Sequence, residues 1–300
     1  MDVVGLGASS VDYVNVLPAA PQAGTANAKL RISAHFASCG GQVANAMAAC
    51  AALGLRARFL GPIGNDANAR RVFDELATRG VDVSMTMVRE AANQFAVVLV
   101  DEHTGERIVL WDRDPNLALR GADIDPALFA GARVLHVDDV DEEGAIAAAA
   151  VARQQGLIVT SDLDRVTANT PALVESVTIP IFAEHVPGAV TGEPDMERAL
   201  RALQRPHHTL LCVTLGTAGS IALVHDRIVR SPAFTVDAVD TTGAGDVFRA
   251  GLIYGMLESW TIEASMRFAN AAAAVSCTKM GAMRSVPALS EVRALIERQR

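Results

Sequence analysis

The chain is short of positive charge. Its 300 residues carry 26 Lys and Arg against 34 Asp and Glu, a formal net charge of −8. A balance of that sign argues against a nucleic-acid backbone or an anionic membrane as partner, because both need a basic face. It leaves room for a local basic pocket that binds phosphate. Cysteine is scarce too, with Cys39, Cys50, Cys212 and Cys277 the full set. None forms a CxxC pair and none stands with histidines at zinc spacing, so no zinc site is expected. Each lies among apolar or small residues, which predicts buried free thiols in a reducing compartment. Long apolar runs are missing: the Ala-rich stretch 145–152 is too short, and too closely bounded by charge, to span a bilayer. No basic segment followed by an apolar run opens the chain, so a cytoplasmic protein without a signal peptide is expected. Repeats and low-complexity tracts are absent as well. What remains is a globular composition, 50% apolar and 20% charged, long enough for one large α/β domain with or without a small companion.

The most informative stretch is Asp240-Thr241-Thr242-Gly243-Ala244-Gly245-Asp246. Residues 234–239 before it read as a strand, and residues 247–257 after it carry apolar side chains at helical spacing. The joint holds two glycines, which let the backbone turn sharply and approach a ligand closely. A helix starting here points free N–H groups and its positive end at the turn, an arrangement suited to phosphate. Asp246 falls in the first helical turn, where a carboxylate can take a proton from an attacking hydroxyl. The same helix end is expected to keep that carboxylate ionised. A plain capping role would need one Asp or Thr, not the whole motif.

DTTGAGD followed by Val-Phe-Arg-Ala-Gly resembles the C-terminal signature of the ribokinase/PfkB carbohydrate kinases. The resemblance implies a ribokinase-like α/β fold, a doubly wound and mostly parallel sheet flanked by helices, with a small β-sheet lid. It implies that Asp246 is the base and that the backbone of Gly243, Ala244 and Gly245 forms an anion hole. Near the N-terminus, Gly40-Gly41 opens a helix and Asn45 lies one turn in, similar to the family's GGxxAN element that meets the sugar. Asp12, after the first strand, takes a sugar-binding place in the family; a turn or capping Asp is the other reading. The α/β body is expected over residues 1–10, 37–93 and 117–300. The discontinuous lid is expected over 11–36 and 94–116, with strands such as 29–33 and a hairpin of 94–101 and 106–112 turning at His103–Gly105.

Further candidates follow in chain order. Asp66 is expected to cap a helix over 67–79. Arg113 and Asp114 follow the hairpin and either read the substrate or form a solvated loop. Asp138, Asp139, Asp162 and Asp164 sit at the C-terminal ends of strands, where ligands of open parallel sheets bind; Asp138 is counted with the substrate residues. Thr214, Gly216 and Gly219 form a strand-end turn that the resemblance puts under the nucleotide, with Asn270 on the adenine-side helix. The 277–287 loop resembles the one that closes the nucleotide site. Its Gly281 and Ser285, with Asp240 and Thr242, imply a monovalent cation site, potassium in several family members. One element departs from the pattern: where many members carry Pro-Asn-x-x-Glu, this chain has Ala183 and Val186, so the magnesium shell is not matched. The reading is an ATP- and Mg²⁺-dependent kinase for a primary hydroxyl of a sugar or sugar derivative, homodimeric through its lids. A nucleoside kinase and a non-catalytic sugar-binding regulator are the alternatives.

Overall fold

The computed structural model describes residues 1–104 and 106–299. The first half contains β1 (Val3–Leu6), β2 (Ser10–Leu17), β3 (Ala34–Gly40), α1 (Gln42–Ala52), β4 (Ala57–Phe59), β5 (Pro62–Ile63), α2 (Ala67–Thr78), β6 (Met87–Val88), β7 (Phe95–Asp101) and β8 (Arg107–Asp112). The second half contains β9 (Val134–Asp138), α3 (Glu142–Gln154), β10 (Ile158–Asp162), α4 (Thr170–Ser176), β11 (Ile181–Ala183), α5 (Val186–Thr191), α6 (Met196–Leu203), β12 (Leu211–Thr214), β13 (Ser220–Val224), β14 (Arg227–Ser231), α7 (Ala244–Leu257), α8 (Ile262–Ser276) and α9 (Leu289–Arg298).

Buried apolar strands build the centre. β1 and β9 are buried along their whole length, as strands covered on both faces must be. They lie in the parallel order β10-β9-β1-β4. Parallel bridges from Thr160 to Ile179 and from Leu163 to Phe182 continue this sheet into β11-β12-β13-β14. The far edge is the antiparallel hairpin β13–β14, which turns at His225 with φ of 51°. Helices cover both faces. α1 and α7 are buried on nearly all sides, so they are core helices and lack a wet stripe. α7 and α8 approach closely because small residues meet: a Cβ on Gly251 would lie 2.8 Å from Ala269 Cα. Asp66 caps α2 by accepting from Ala69 N at 2.8 Å.

A separate four-stranded sheet has the order β3-β2-β7-β8. Its strands pair Val11 with Cys39 and Phe95, and Val98 with Val109. Residues 29–33, expected as a strand, do not form one. Ala34–Gly40 takes up the β2 ladder instead, and only Ser33 N reaches Val16 O. Gly105 of the expected hairpin turn and Arg300 lie outside the described residues. Residues 234–239 are not a strand either. The backbone of Thr235 exchanges hydrogen bonds with the Gln299 side chain, at 3.2 and 2.7 Å, instead of with a neighbouring strand.

Candidate active site

Two helix starts converge on one point. α1 begins after Gly41, whose φ of 99° belongs to glycine, and whose missing Cβ would sit 2.5 Å from Ser9 Cα. α7 begins after Gly243, left-handed with φ of 81° and packed against Ala282. Asn45 in the first turn of α1 donates from Nδ2 to Asp246 Oδ2 at 2.7 Å. The two motifs that stood far apart in the chain therefore touch.

Asp240 organises the turn. Its Oδ1 accepts from Thr242 N at 2.9 Å and Thr242 Oγ1 at 2.7 Å, and its Oδ2 accepts from Gly281 N at 2.9 Å. Ser285 is buried, donating from N to Gly281 O at 2.8 Å and from Oγ to Ala282 O at 2.9 Å. Ala244 N is spent on Thr241 O at 3.2 Å. Among the described residues, the amides of Gly243 and Gly245 have no acceptor and remain open at the positive end of α7.

Two cavities meet at this turn, and Ala238 and Thr241 line both. The first, of about 420 Å³, lies between the turn and the small sheet, with Asp12, Ser38, Val98, Arg107 and Val109 on the sheet side. Strand alternation explains that set, since β7 and β8 pair Val98 with Val109 and Val100 with Arg107 on one face. The second, of about 480 Å³, is lined by Thr214, Gly216, Gly219, Gly245, Asn270 and Cys277 among others. Cys277 is only half-buried, unlike the other three cysteines, because it faces this cavity. Asn270 spends its amide on Ser220 Oγ at 3.1 Å and Ser231 Oγ at 3.0 Å, fastening β13 and β14 to α8 behind the cavity wall. Gly219 is forced to be glycine, since a Cβ there would lie 2.1 Å from Ser231 O.

Asp246 is 9% exposed and stands behind the turn. Burial pushes its carboxyl up to about 6, opposed by the Asn45 hydrogen bond and the Arg249 charge. The helix start favours the ionised form and burial opposes it, so the two act on this carboxyl in opposite directions. Asp138 is buried at the end of β9, accepting from Ala8 N at 2.6 Å and Val140 N at 3.1 Å, and burial raises it to about 7. Asp12 accepts from Ser10 Oγ at 2.9 Å, and burial raises it as well. Gly40 lies directly over Asp12, with a hypothetical Cβ 2.6 Å from Asp12 Oδ2.

Arg113 is engaged within the protein. Its guanidinium holds Asp141 Oδ2 at 2.6 Å and Leu117 O at 2.8 Å, and it lines neither cavity. The local reason is that Asp141, at the start of α3, faces it across the loop. Asp114 caps the short turn that follows, accepting from Asn116 N at 2.9 Å. The cation at the first cavity is Arg107, which sequence reasoning passed over. It hydrogen-bonds Thr242 Oγ1 and lies 3.8 Å from Asp240 Oδ1. Its only sequence signal is its place on the same strand face as Val109.

An open, mostly parallel sheet with a glycine turn between two cavities, one of them walled by a separate small sheet, defines the ribokinase-like fold. The pfkB family carbohydrate kinase profile matches residues 9–289, and the chain belongs to that family. It is 28% identical to Fructokinase-1 of Oryza sativa subsp. japonica over 98% of this chain and 97% of the relative. It is 29% identical to the ATP-dependent ribose-1-phosphate kinase of Halopiger xanaduensis, over 90% of each chain. Its fold matches that of Arabidopsis thaliana ribokinase complexed with ribose and ATP, with a TM-score of 0.85 at 22% identity, over 99% of this chain and 98% of that one.

Proposed function

We propose that this protein is an ATP-dependent sugar kinase that transfers a phosphoryl group to a primary hydroxyl of a sugar or sugar derivative. The observation that carries the reading is the meeting of two cavities at the Gly243–Gly245 turn, with Asp246 beside it. Phosphoryl transfer needs two ligands brought in line across an anion site, and little covalent chemistry from the protein. The first cavity takes the sugar, with Asp12 on its wall supplying a polar contact; Gly41 and Asn45, also assigned to the sugar from the sequence, line neither cavity and stand behind it, Asn45 against Asp246. The second takes ATP: Gly216, Gly219 and Ala273 leave room for it, and the Gly243 and Gly245 amides face its phosphates. Asp246 accepts the proton of the attacking hydroxyl at a carboxylate oxygen, and Asn45 holds that oxygen's partner in place. Arg107 brings a positive charge from the sheet side to the transferring group.

Magnesium is implied by the chemistry of phosphate transfer. Among the described residues, no three His, Cys, Asp or Glu side chains converge on a metal position. An ion brought in with the nucleotide would be held mainly by phosphate oxygens and water, with at most one or two carboxylates of the chain. A monovalent cation fits better. The Gly281 carbonyl accepts one hydrogen bond, from Ser285 N, and keeps a lone pair for an ion such as potassium; the carbonyls of Asp240 and Thr242 accept none among the described residues.

The small sheet of β2, β3, β7 and β8, which takes in residues 37–40 as well as 11–36 and 94–116, acts as a lid that keeps water from the transfer. Its edge strand β8 exposes Ile108, Val109, Leu110 and Trp111 at 46–64%, and a second copy pairing there would cover them in a homodimer. No described helix is long and apolar enough to cross a membrane, and we assign the protein to the cytoplasm. The test is ADP formation with a panel of sugars, sugar phosphates and nucleosides. Asp246→Asn should keep ATP binding and lose about 10²-fold or more in turnover, the scale of a general base. Turnover within a few-fold of the parent would remove Asp246 from that role.

A further inference from the structure

Arg249 lies one turn along α7 from Asp246 and is 3% exposed. Arginine is rarely buried, because removing its charge from water costs several kcal/mol unless a partner compensates. The partner is Asp162, at the C-terminal end of β10 and 2% exposed, with Oδ1 at 2.5 Å from Arg249 Nη2. Asp162 also feels the charge of the Asp246 carboxyl, which helps burial to raise its own pKa. Positions 246 and 249 share a helix face, and the long side chain of 249 runs back toward the start of α7. Its Nη1 ends 2.7 Å from where a Cβ on Gly245 would sit, directly beneath the open amides of the turn.

We propose that Arg249 is a positioning residue for phosphoryl transfer, pinned by Asp162 so that its guanidinium holds the Asp246 carboxylate and the underside of the anion turn in their reactive places. The inference rests on the sugar-kinase reading. Two carboxylates side by side repel, and Asp246 alone would swing away from Asp162. The guanidinium neutralises Asp162 and lets the pair stand together. It also sets a fixed positive charge under the Gly243 and Gly245 amides, where negative charge is exchanged during transfer. The guanidinium keeps donors beyond the one spent on Asp162. Here Nε is buried and has no partner among the described residues. A second cation nearby, Arg165, is taken up by Asp139. Asp138 and the buried, neutral His136 face the network from β9, and Asp139 and Asp164 from the strand ends. Asp139 is already held by Arg165 at 3.4 Å.

The test compares the parent with Arg249→Met, Arg249→Lys and the double variant Arg249→Met/Asp162→Asn, using the best sugar of the panel. Arg249→Met should lower kcat by about tenfold to a hundredfold, the cost of losing a group that orients a reacting one. The KM values for sugar and ATP should stay within about threefold of the parent. The acid limb of kcat should move to higher pH. Arg249→Lys keeps the charge but not the fork, and should recover part of kcat and of the acid limb. Arg249→Met strands Asp162 without a partner and should melt early, so the double variant, which removes both charges, should melt like the parent with kcat still low. Recovery of kcat in the double variant, full kcat in Arg249→Met, or a loss carried by KM would overturn the proposal and leave the ion pair structural. Asp246→Asn separates the two levels. If the parent phosphorylates a sugar and Asp246→Asn does not, the sugar-kinase reading stands whatever Arg249 does. A parent inactive on every sugar overturns both.

Discussion

Asn45→Ala tests how the two helix starts cooperate. The substitution removes the Nδ2 donor that lies 2.7 Å from Asp246 Oδ2. That donor stabilises the charged carboxylate, so its loss raises the Asp246 pKa, and less of the base is ionised at a given pH. A hydrogen bond to a charged group contributes about 1.5–3 kcal/mol. One pKa unit corresponds to about 1.4 kcal/mol, so the shift is about one to two units. The starting point is about 6, set by burial. After a shift of about 1.5 units, kcat at pH 8 should stay within about twofold, while kcat at pH 6 should fall more than about tenfold. The apparent value belongs to the Asp246–Asp162 pair and not to one residue. Asn45 is also read as a sugar contact, so the sugar KM should rise much more than the ATP KM. The assay is kcat and both KM values from pH 5 to 9. An acid limb that does not move would break the link between Asn45 and the base, and equal effects on both KM values would make Asn45 scaffold only.

Activity should rise when potassium replaces a large organic cation at equal ionic strength, because carbonyls of the 240–242 and 281–285 loops order the anion turn around it; identical rates in the two salts would refute that site. Sedimentation should show a dimer that Leu110→Glu converts to monomer, since the charge falls on the exposed β8 edge; a monomeric parent would remove the lid-to-lid assembly.

Much of this site is legible in the chain because local backbone demands write themselves as glycine. Gly243 at φ 81° and Gly41 at φ 99° could be nothing else where they stand, and the helices after them show their spacing plainly. Partnership is what the chain conceals. Residues 234–239 read like a strand, yet nothing local reveals that Gln299 binds the backbone of Thr235. The β13–β14 hairpin went unread, since its turn rests on His225 and Asp226, without a glycine. Arg113 looks free until Asp141 is folded against it. Arg249 has the look of a solvated helix charge, and only the arrival of β10 turns it inward. Long-range ion pairs decide each of these arginines, and no window of sequence contains both partners.

The small sheet is also the least buried sheet of the molecule. β8 is exposed along its length and β7 is mostly half-buried, whereas β1 and β9 are buried throughout. Local opening draws on the elements with the fewest buried contacts, so amide hydrogens of β7 and β8 should exchange well before those of the central strands. Sugar bound in the first cavity touches that sheet from within and should slow the exchange; protection unchanged by sugar would contradict this. Part of the contact energy is then consumed in ordering the sheet. The affinity measured for a sugar is what is left after that, and a variant that stiffens β7 and β8 in advance should bind it more tightly without a single new contact.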